Sequence, residues 1–328
     1  MRARAIYLAV LFAFSAPLLN AQGNRNAANN EVQVLPVQGN VYMLVGAGGN
    51  ITVQAGDDGV LIVDAGTAAM SDEVLAAIHS ISSGTLIYVV NTDENEEHTG
   101  GNAKIALTGA PVGFHNLTGP GRAGAQGAFI IAYQTIFDRM SAPTGSKAPS
   151  SEDAWPNDTY SIPTKNLYFN GEPIQIMHQP GNTDGNSIVL FRKSDVISAG
   201  DILDLSEYPI IDVNAGGSIQ AIKQGLDRLI ELAVVKSHSE GGTMIIPGHG
   251  RLCDQADVVV YDQMVTVVSD RIRDMISHGM TLQQVKDAKP TADWDPLYGK
   301  TSGPWTTDMF VEAAYKSLSA KGKEAPKK

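Results

Sequence analysis

The sequence contains a single cysteine, Cys253, so no intrachain disulfide can form even in an oxidising compartment. Core packing, helped by any bound metal, has to supply the stability. A lone cysteine reads first as a small buried hydrophobe. Its position four residues after a histidine makes it no more than a minor candidate ligand. Basic residues are also scarce, 24 Lys and Arg against 35 Asp and Glu, giving a net charge of −11. That balance repels phosphate backbones, and no basic stripe offsets it, so nucleic-acid partners are excluded. The Lys/Arg face of a membrane-seeking amphipathic helix is missing too. No apolar run is long enough to span a bilayer. The longest, residues 5–19, has about 15 residues where about 20 are needed.

That run has an address of its own. Arg2 and Arg4 precede it, and small and polar residues follow at Ala21-Gln22-Gly23, the layout of a secretory signal peptide over residues 1–21. An uncleaved anchor is the alternative. The expected product is exported, periplasmic or secreted, with no stable membrane insertion after cleavage. Residues 22–30 are polar and read as a disordered linker, and residues 321–328 as a lysine-rich solvated tail.

Between them, hydrophobic residues are plentiful enough (43% of the chain) for one large core. Short β-rich runs, Val41–Val45, Asn50–Gln54 and Gly59–Asp64, are separated by glycine-rich turns, with Asp58-Gly59 as a hairpin signal. Residues 70–80 have helical spacing, with Ser71 as a candidate N-cap. Leu86–Val90 reads as a buried strand. Residues 119–163 read as an insertion, helical around 128–140 and then rich in Ser, Pro and Gly, of the kind that forms a lid or a loose loop. Strands return at Leu167–Phe169, Ile174–His178, Ser187–Phe191, Val196–Ala199 and Thr243–Ile246. Helical patterns cover 218–235 and 256–320, the latter with a capping box at Thr281 and Gln284. Interleaved strands and helices make the class α/β, in one domain over residues 31–320.

Four loops, each directly after a strand, collect nearly all the metal-capable residues: Asp93–Gly101, Pro180–Asn186, Gly200-Asp201 and Pro247–Gly250. Rigid strands can hold such loop residues in a fixed constellation. The order of these loops, Gly-Gly-Asn, then Pro-Gly-x-Thr-x-Gly, then Gly-Asp, then Pro-Gly-His, resembles the metallo-β-lactamase superfamily. The resemblance runs from about residue 34 to about 317. It implies a four-layer αββα sandwich with metal in a groove along one edge. The segment from Tyr208-Pro209 to Gly216-Gly217-Ser218 resembles an exported, hydrolase-like branch.

Family members usually carry Thr-His-x-His-x-Asp-His in the first loop and Gly-His-Thr-x-Gly in the second. Carried over position by position, Asp93 and Asn95 stand where the first two histidines are expected, and Asn182 stands where the second loop has its own. Glu97 takes the aspartate position, and His98, Asp201 and His249 match. The resemblance therefore implies a degenerate first metal site and a second one of Glu97, His98, Asp201 and His249, with one divalent ion. Zinc suits two nitrogens and two carboxylates best, iron or manganese next. Asp93, Asn95 and Asn182 become the candidate catalytic groups, Asp93 as general base and the two amides as donors to a developing oxyanion. Asp64 is expected to support the ligand loops, and His178 to pack rather than ligate. The expected activity is a metallohydrolase attacking a small-molecule ester, lactone, thioester or amide. The competing expectations are a non-catalytic binding or scaffold descendant, and a two-metal or redox-metal site using hard oxygen ligands.

Overall fold

The computed structural model describes residues 31–110, 127–142, 150–235 and 241–319. Residues 1–30, read above as a signal peptide and a linker, the 321–328 tail and parts of the 119–163 insertion lie outside the described residues.

Two sheets are stacked. The first follows chain order: β1 (Gln33–Gln38), β2 (Val41–Ala47), β3 (Gly49–Gly56), β4 (Gly59–Val63), β5 (Leu86–Val90), β6 (Phe129–Tyr133) and β7 (Asp158–Tyr160). The second has β8 (Thr164–Phe169), β9 (Glu172–His178), β10 (Ser187–Phe191), β11 (Val196–Asp204) and β12 (Met244–His249), with β12 at one edge beside β11. Strand alternation builds three cores at once. In β4, Leu61 and Val63 face the second sheet, where Ile174, Ile176, Val189 and Phe191 meet them. Val60 and Ile62 face the other way, onto α1 (Ser71–Ile81) through Val74 and Ile78. On the far side, Ile197 and Ile245 pack under α5 (Ile219–Leu232), α6 (Gln255–Ser277) and α9 (Thr307–Ser319). The result is the expected αββα sandwich.

Local signals hold at most positions. Asp58-Gly59 closes the β3–β4 hairpin, whose register pairs Gly56 with Gly59. Thr281 and Gln284 form the capping box of α7 (Leu282–Asp287), and Asp254 and Asp257 form a second one on α6. Ser71 differs: it lies inside the helix and its hydroxyl donates to the Ala68 carbonyl instead of capping. The helical reading of 128–140 is half wrong. Phe129–Tyr133 is a strand parallel to β5, and only α4 (Gln134–Ser141) is helical. A short apolar run fits either period, and tertiary pairing decided it. The described parts of the insertion thus extend the first sheet with β6 and β7. Among the described residues, no helix is long and apolar enough to cross a membrane.

Cys253 lies buried beneath α6, its thiol donating to the Ile245 carbonyl at 3.4 Å. Burial pushes that thiol up to about 12. With the thiolate depleted, its reaction with an aromatic disulfide reagent at neutral pH should be at least ~1,000-fold slower in native protein than in denaturant. Equal rates in a stopped-flow assay would contradict this burial.

Candidate metal centre

All four ligand-bearing loops converge at one end of the sheets. Strand β5 delivers Asn91, Thr92 and Asp93, and the chain then opens the single turn α2 (Glu96–Thr99), which carries Glu97 and His98. The turn after β9 supplies Asn182. A left-handed bend at Gly200, φ 52°, turns β11 so that Asp201 faces the cluster. Beside it, β12 ends in Gly248-His249. Gly248 must be glycine, because a Cβ there would collide with Asp201 Oδ1. This explains the Pro-Gly-His spelling better than turn propensity does.

His98 is fully buried and clamped from both sides. Its Nδ1 lies 2.9 Å from Asp64 Oδ2, and its Nε2 lies 3.0 Å from Asp201 Oδ1. Asp64 also accepts from the Thr92 amide at 2.8 Å and the Thr92 hydroxyl at 2.7 Å. It holds an unfavourable φ of 66°, strain of the kind that gathers at functional sites. Once His98 is neutral, as a metal ligand must be, the Asp64 contact keeps its remaining proton on Nδ1 and leaves Nε2 facing inward. His249 Nε2 lies 3.0 Å from Glu97 Oε2 and 3.6 Å from Asp201 Oδ1.

The inner atoms look toward a common point. His98 Nε2 and Asp201 Oδ1 are within hydrogen-bonding distance yet misaligned, and both are buried with no hydrogen-bond partner. These two atoms and a ring nitrogen of His249 lie within 4.8 Å of one another. Buried polar atoms without partners are rare and call for an explanation. Two imidazoles and a carboxylate converging this way are the donor set a divalent ion takes. Glu97 sits at the rim, half exposed at 53%, and touches this triad through His249.

Asp93, Asn95 and Asn182 are arranged differently. Asn95 Nδ2 donates to Asp93 Oδ2 at 3.1 Å and lies 3.4 Å from Asp201 Oδ2. Asn182 Nδ2 donates to the same two oxygens at 3.2 and 3.4 Å. The Asn95 backbone amide closes onto Asp93 Oδ1 at 2.8 Å. Where the resemblance led us to expect three histidines, two amides therefore bridge two buried carboxylates. Their N–H groups, assigned from sequence to an oxyanion, point at Asp93 and Asp201.

The electrostatics follow from burial. Burial pushes the Asp93 carboxyl up to about 7, against the pull of His98. Asp201, also buried, is drawn down to about 2 because His98 lies against it. Burial alone would lower both histidines. The surrounding carboxylates outweigh it, holding His98 well above its ordinary value and His249 at about 9, chiefly through Glu97.

Comparison with known proteins settles the family. The metallo-β-lactamase superfamily model matches residues 36–249. The chain belongs to the metallo-β-lactamase superfamily. No curated protein sequence matches it. Among solved structures, it resembles the stereoselective inverting sec-alkylsulfatase from Pseudomonas sp., with 13% identity and a TM-score of 0.58 over 87% of this chain and 50% of that one. The chain thus spans about half the length of that enzyme. It also resembles a metallo-β-lactamase from Pontibacter korlensis, with 14% identity, TM-score 0.53, and 72% and 99% coverage. The DIM-1 metallo-β-lactamase gives 16% identity, TM-score 0.50, and 72% and 97% coverage. At these identities the likeness shows the superfamily's fold. The superfamily's hydrolases bind divalent metals, and the His98, Asp201 and His249 group has the matching donor chemistry.

Two features of this site escaped the sequence. Arg139 on α4 donates to Glu94 Oε1 at 2.8 Å, to Asp184 Oδ1 at 2.5 Å and to the Ala215 carbonyl at 2.9 Å, pinning three loops together. No motif announces it, because it comes from the insertion. Asp204, buried and opposite His249 in the β11–β12 register, is pushed up to about 6 by burial. Its position at the end of a long buried strand was the available signal. His178 packs as expected, stacked on Tyr133 with ring centroids 3.5 Å apart and its Nε2 2.7 Å from the Asp184 carbonyl.

Proposed function

We propose that the protein is a metallohydrolase that uses one divalent ion, zinc by preference, held by Glu97, His98, Asp201 and His249. Its substrates on this reading are small esters, lactones, thioesters or amides. The observation carrying it is the convergence of His98 Nε2, Asp201 Oδ1 and a His249 ring nitrogen within 4.8 Å of one another, the first two fully buried. A divalent metal supplies Lewis acidity, lowering the pKa of water toward about 7 and polarising a carbonyl.

The chain's own groups do the remainder. Asp64 holds His98 by its Nδ1–H. Asp93, with a carboxyl near neutrality, is suited to take a proton at working pH. Asn95 and Asn182 keep Asp93 Oδ2 beside Asp201 Oδ2. Either amide can turn a hydrogen toward a developing oxyanion only by releasing a carboxylate, so donor and base act in sequence. Export to the periplasm or beyond belongs to the same reading, supported by the composition of residues 1–21.

Metal content tests this. Protein purified without chelator should carry about one zinc, iron or manganese per chain, and His249→Ala should lose it. Two ions would mean that Asp93, Asn95 and Asn182 bind as hard ligands. No ion under any loading condition would favour a binding protein that keeps the sandwich alone.

A further inference from the structure

A second conclusion rests on that hydrolase reading and concerns the charge of what the site accepts. Asp64, Asp93, Glu97, Asp201 and Asp204 place five carboxyl groups on or behind the two histidines. A divalent ion offsets two of them. Even with Asp93 protonated, negative charge remains in excess.

Among the described residues, the cations that reach these loops are engaged. The Arg139 guanidinium is divided between Glu94 and Asp184. Arg251, two residues beyond His249, is forked onto Asp257 at 2.5 and 3.0 Å. Lys300 lies 2.7 Å from Glu207. The amide hydrogens of Asn95 and Asn182, the neutral donors on which an anion could also rest, point at Asp93 and Asp201. Asn182 Oδ1 is a buried acceptor without a donor. Formal charge and hydrogen-bond directions thus lead separately to one answer: among the described residues, the site is rich in acceptors and poor in free donors.

We propose that the substrate group beside the metal is cationic or a neutral donor, an ammonium-bearing acyl compound being the favoured class. Carboxylate, sulfate and phosphate groups are rejected by the site's own field, which costs like-charged ligands both encounter rate and affinity. A sulfate ester, the class named for the Pseudomonas enzyme, falls on the rejected side.

Three small thiols test this without turnover: cysteamine (cationic), 2-mercaptoethanol (neutral) and 3-mercaptopropionate (anionic). Each is titrated into the Co²⁺-loaded full chain at pH 7.5, and the thiolate-to-cobalt charge-transfer band is followed. With each affinity expressed per thiolate present at that pH, cysteamine should bind at least ~10-fold tighter than 3-mercaptopropionate at low salt, with 2-mercaptoethanol between. The ratio should shrink in about 0.5 M salt, where exposed charges are screened. Equal or tighter binding of the anion would overturn the proposal, and so would a bound cobalt that none of the thiols reaches. A protein that takes up no cobalt overturns the metallohydrolase reading as well. Cobalt uptake with a preference for the anion removes only this inference.

Discussion

With Asp93→His, Asn95→His and Asn182→His combined, the protein should take up about two zinc ions per chain where the natural sequence takes about one. The three positions surround one point next to Asp201 Oδ2, which already receives both amides. At present that point is closed by hydrogen bonds, and a carboxylate held by two amide donors has little reason to exchange them for a hydrated ion. Three imidazoles would remove the donors, remove the Asp93 charge, and offer nitrogen ligands in their place. The cost appears without metal. Losing the bridge between Asp93 and Asp201 leaves buried polar groups unmatched, and metal-free variant should be less stable by about 3 kcal/mol. Zinc titration with a chromophoric chelator gives the count, and thermal melts with and without zinc give the cost. A variant that still binds one ion would show that the backbone of these loops, and not their side chains, excludes the second.

Metal binding should release up to about two protons, so that apparent affinity rises as much as ~100-fold per pH unit below pH 9. The sign follows from the histidines. In metal-free protein His249 is raised to about 9 and His98 well above its ordinary value, so both are protonated at neutral pH and each must lose its ring proton to serve as a ligand. Raised folded values also mean that both groups stabilise metal-free protein fully below about 6.5, and that His249 loses its contribution as pH rises through about 9. Metal-free stability therefore falls along the same axis on which metal affinity climbs. The gap in melting temperature between loaded and metal-free protein should widen steadily from pH 6 to pH 9. Calorimetry in buffers of different ionisation enthalpy counts the protons directly. A pH-independent affinity would mean that the histidines are already neutral.

The sheets and the ligand loops were legible because their signals are local. Strand alternation at Val60–Val63 and the Asp58-Gly59 turn are set by nearby residues, and they appear in the structure where the spacing put them. Asp64 was readable as support for the ligand loops from its place after β4. What could not be read was direction. Asn95 and Asn182 are spelled the same whether their amides face a substrate or two carboxylates, and only the placement of Asp93 beside Asp201, more than a hundred residues apart in sequence, makes the second arrangement. Arg139 was invisible for a related reason: its partners Glu94 and Asp184 come from loops it meets only in the folded state. The strand Phe129–Tyr133 was misread because five apolar residues satisfy either period until β5 offers an edge to pair with.

The four proposed ligands come late and from far apart. Glu97 and His98 arrive with the first sheet, Asp201 with the middle of the second, and His249 at the end of β12, a strand that joins the sheet by pairing parallel to β11. No fragment ending before residue 249 contains the full set. Closing so long a chain segment is entropically expensive, so the ion on this reading can be captured only after both halves of the polypeptide have docked. Metal retention then becomes a quality mark for the finished molecule. A chain stalled, clipped or misfolded anywhere between residues 98 and 249 would be unable to hold its ion, and could be told from its intact siblings by that alone.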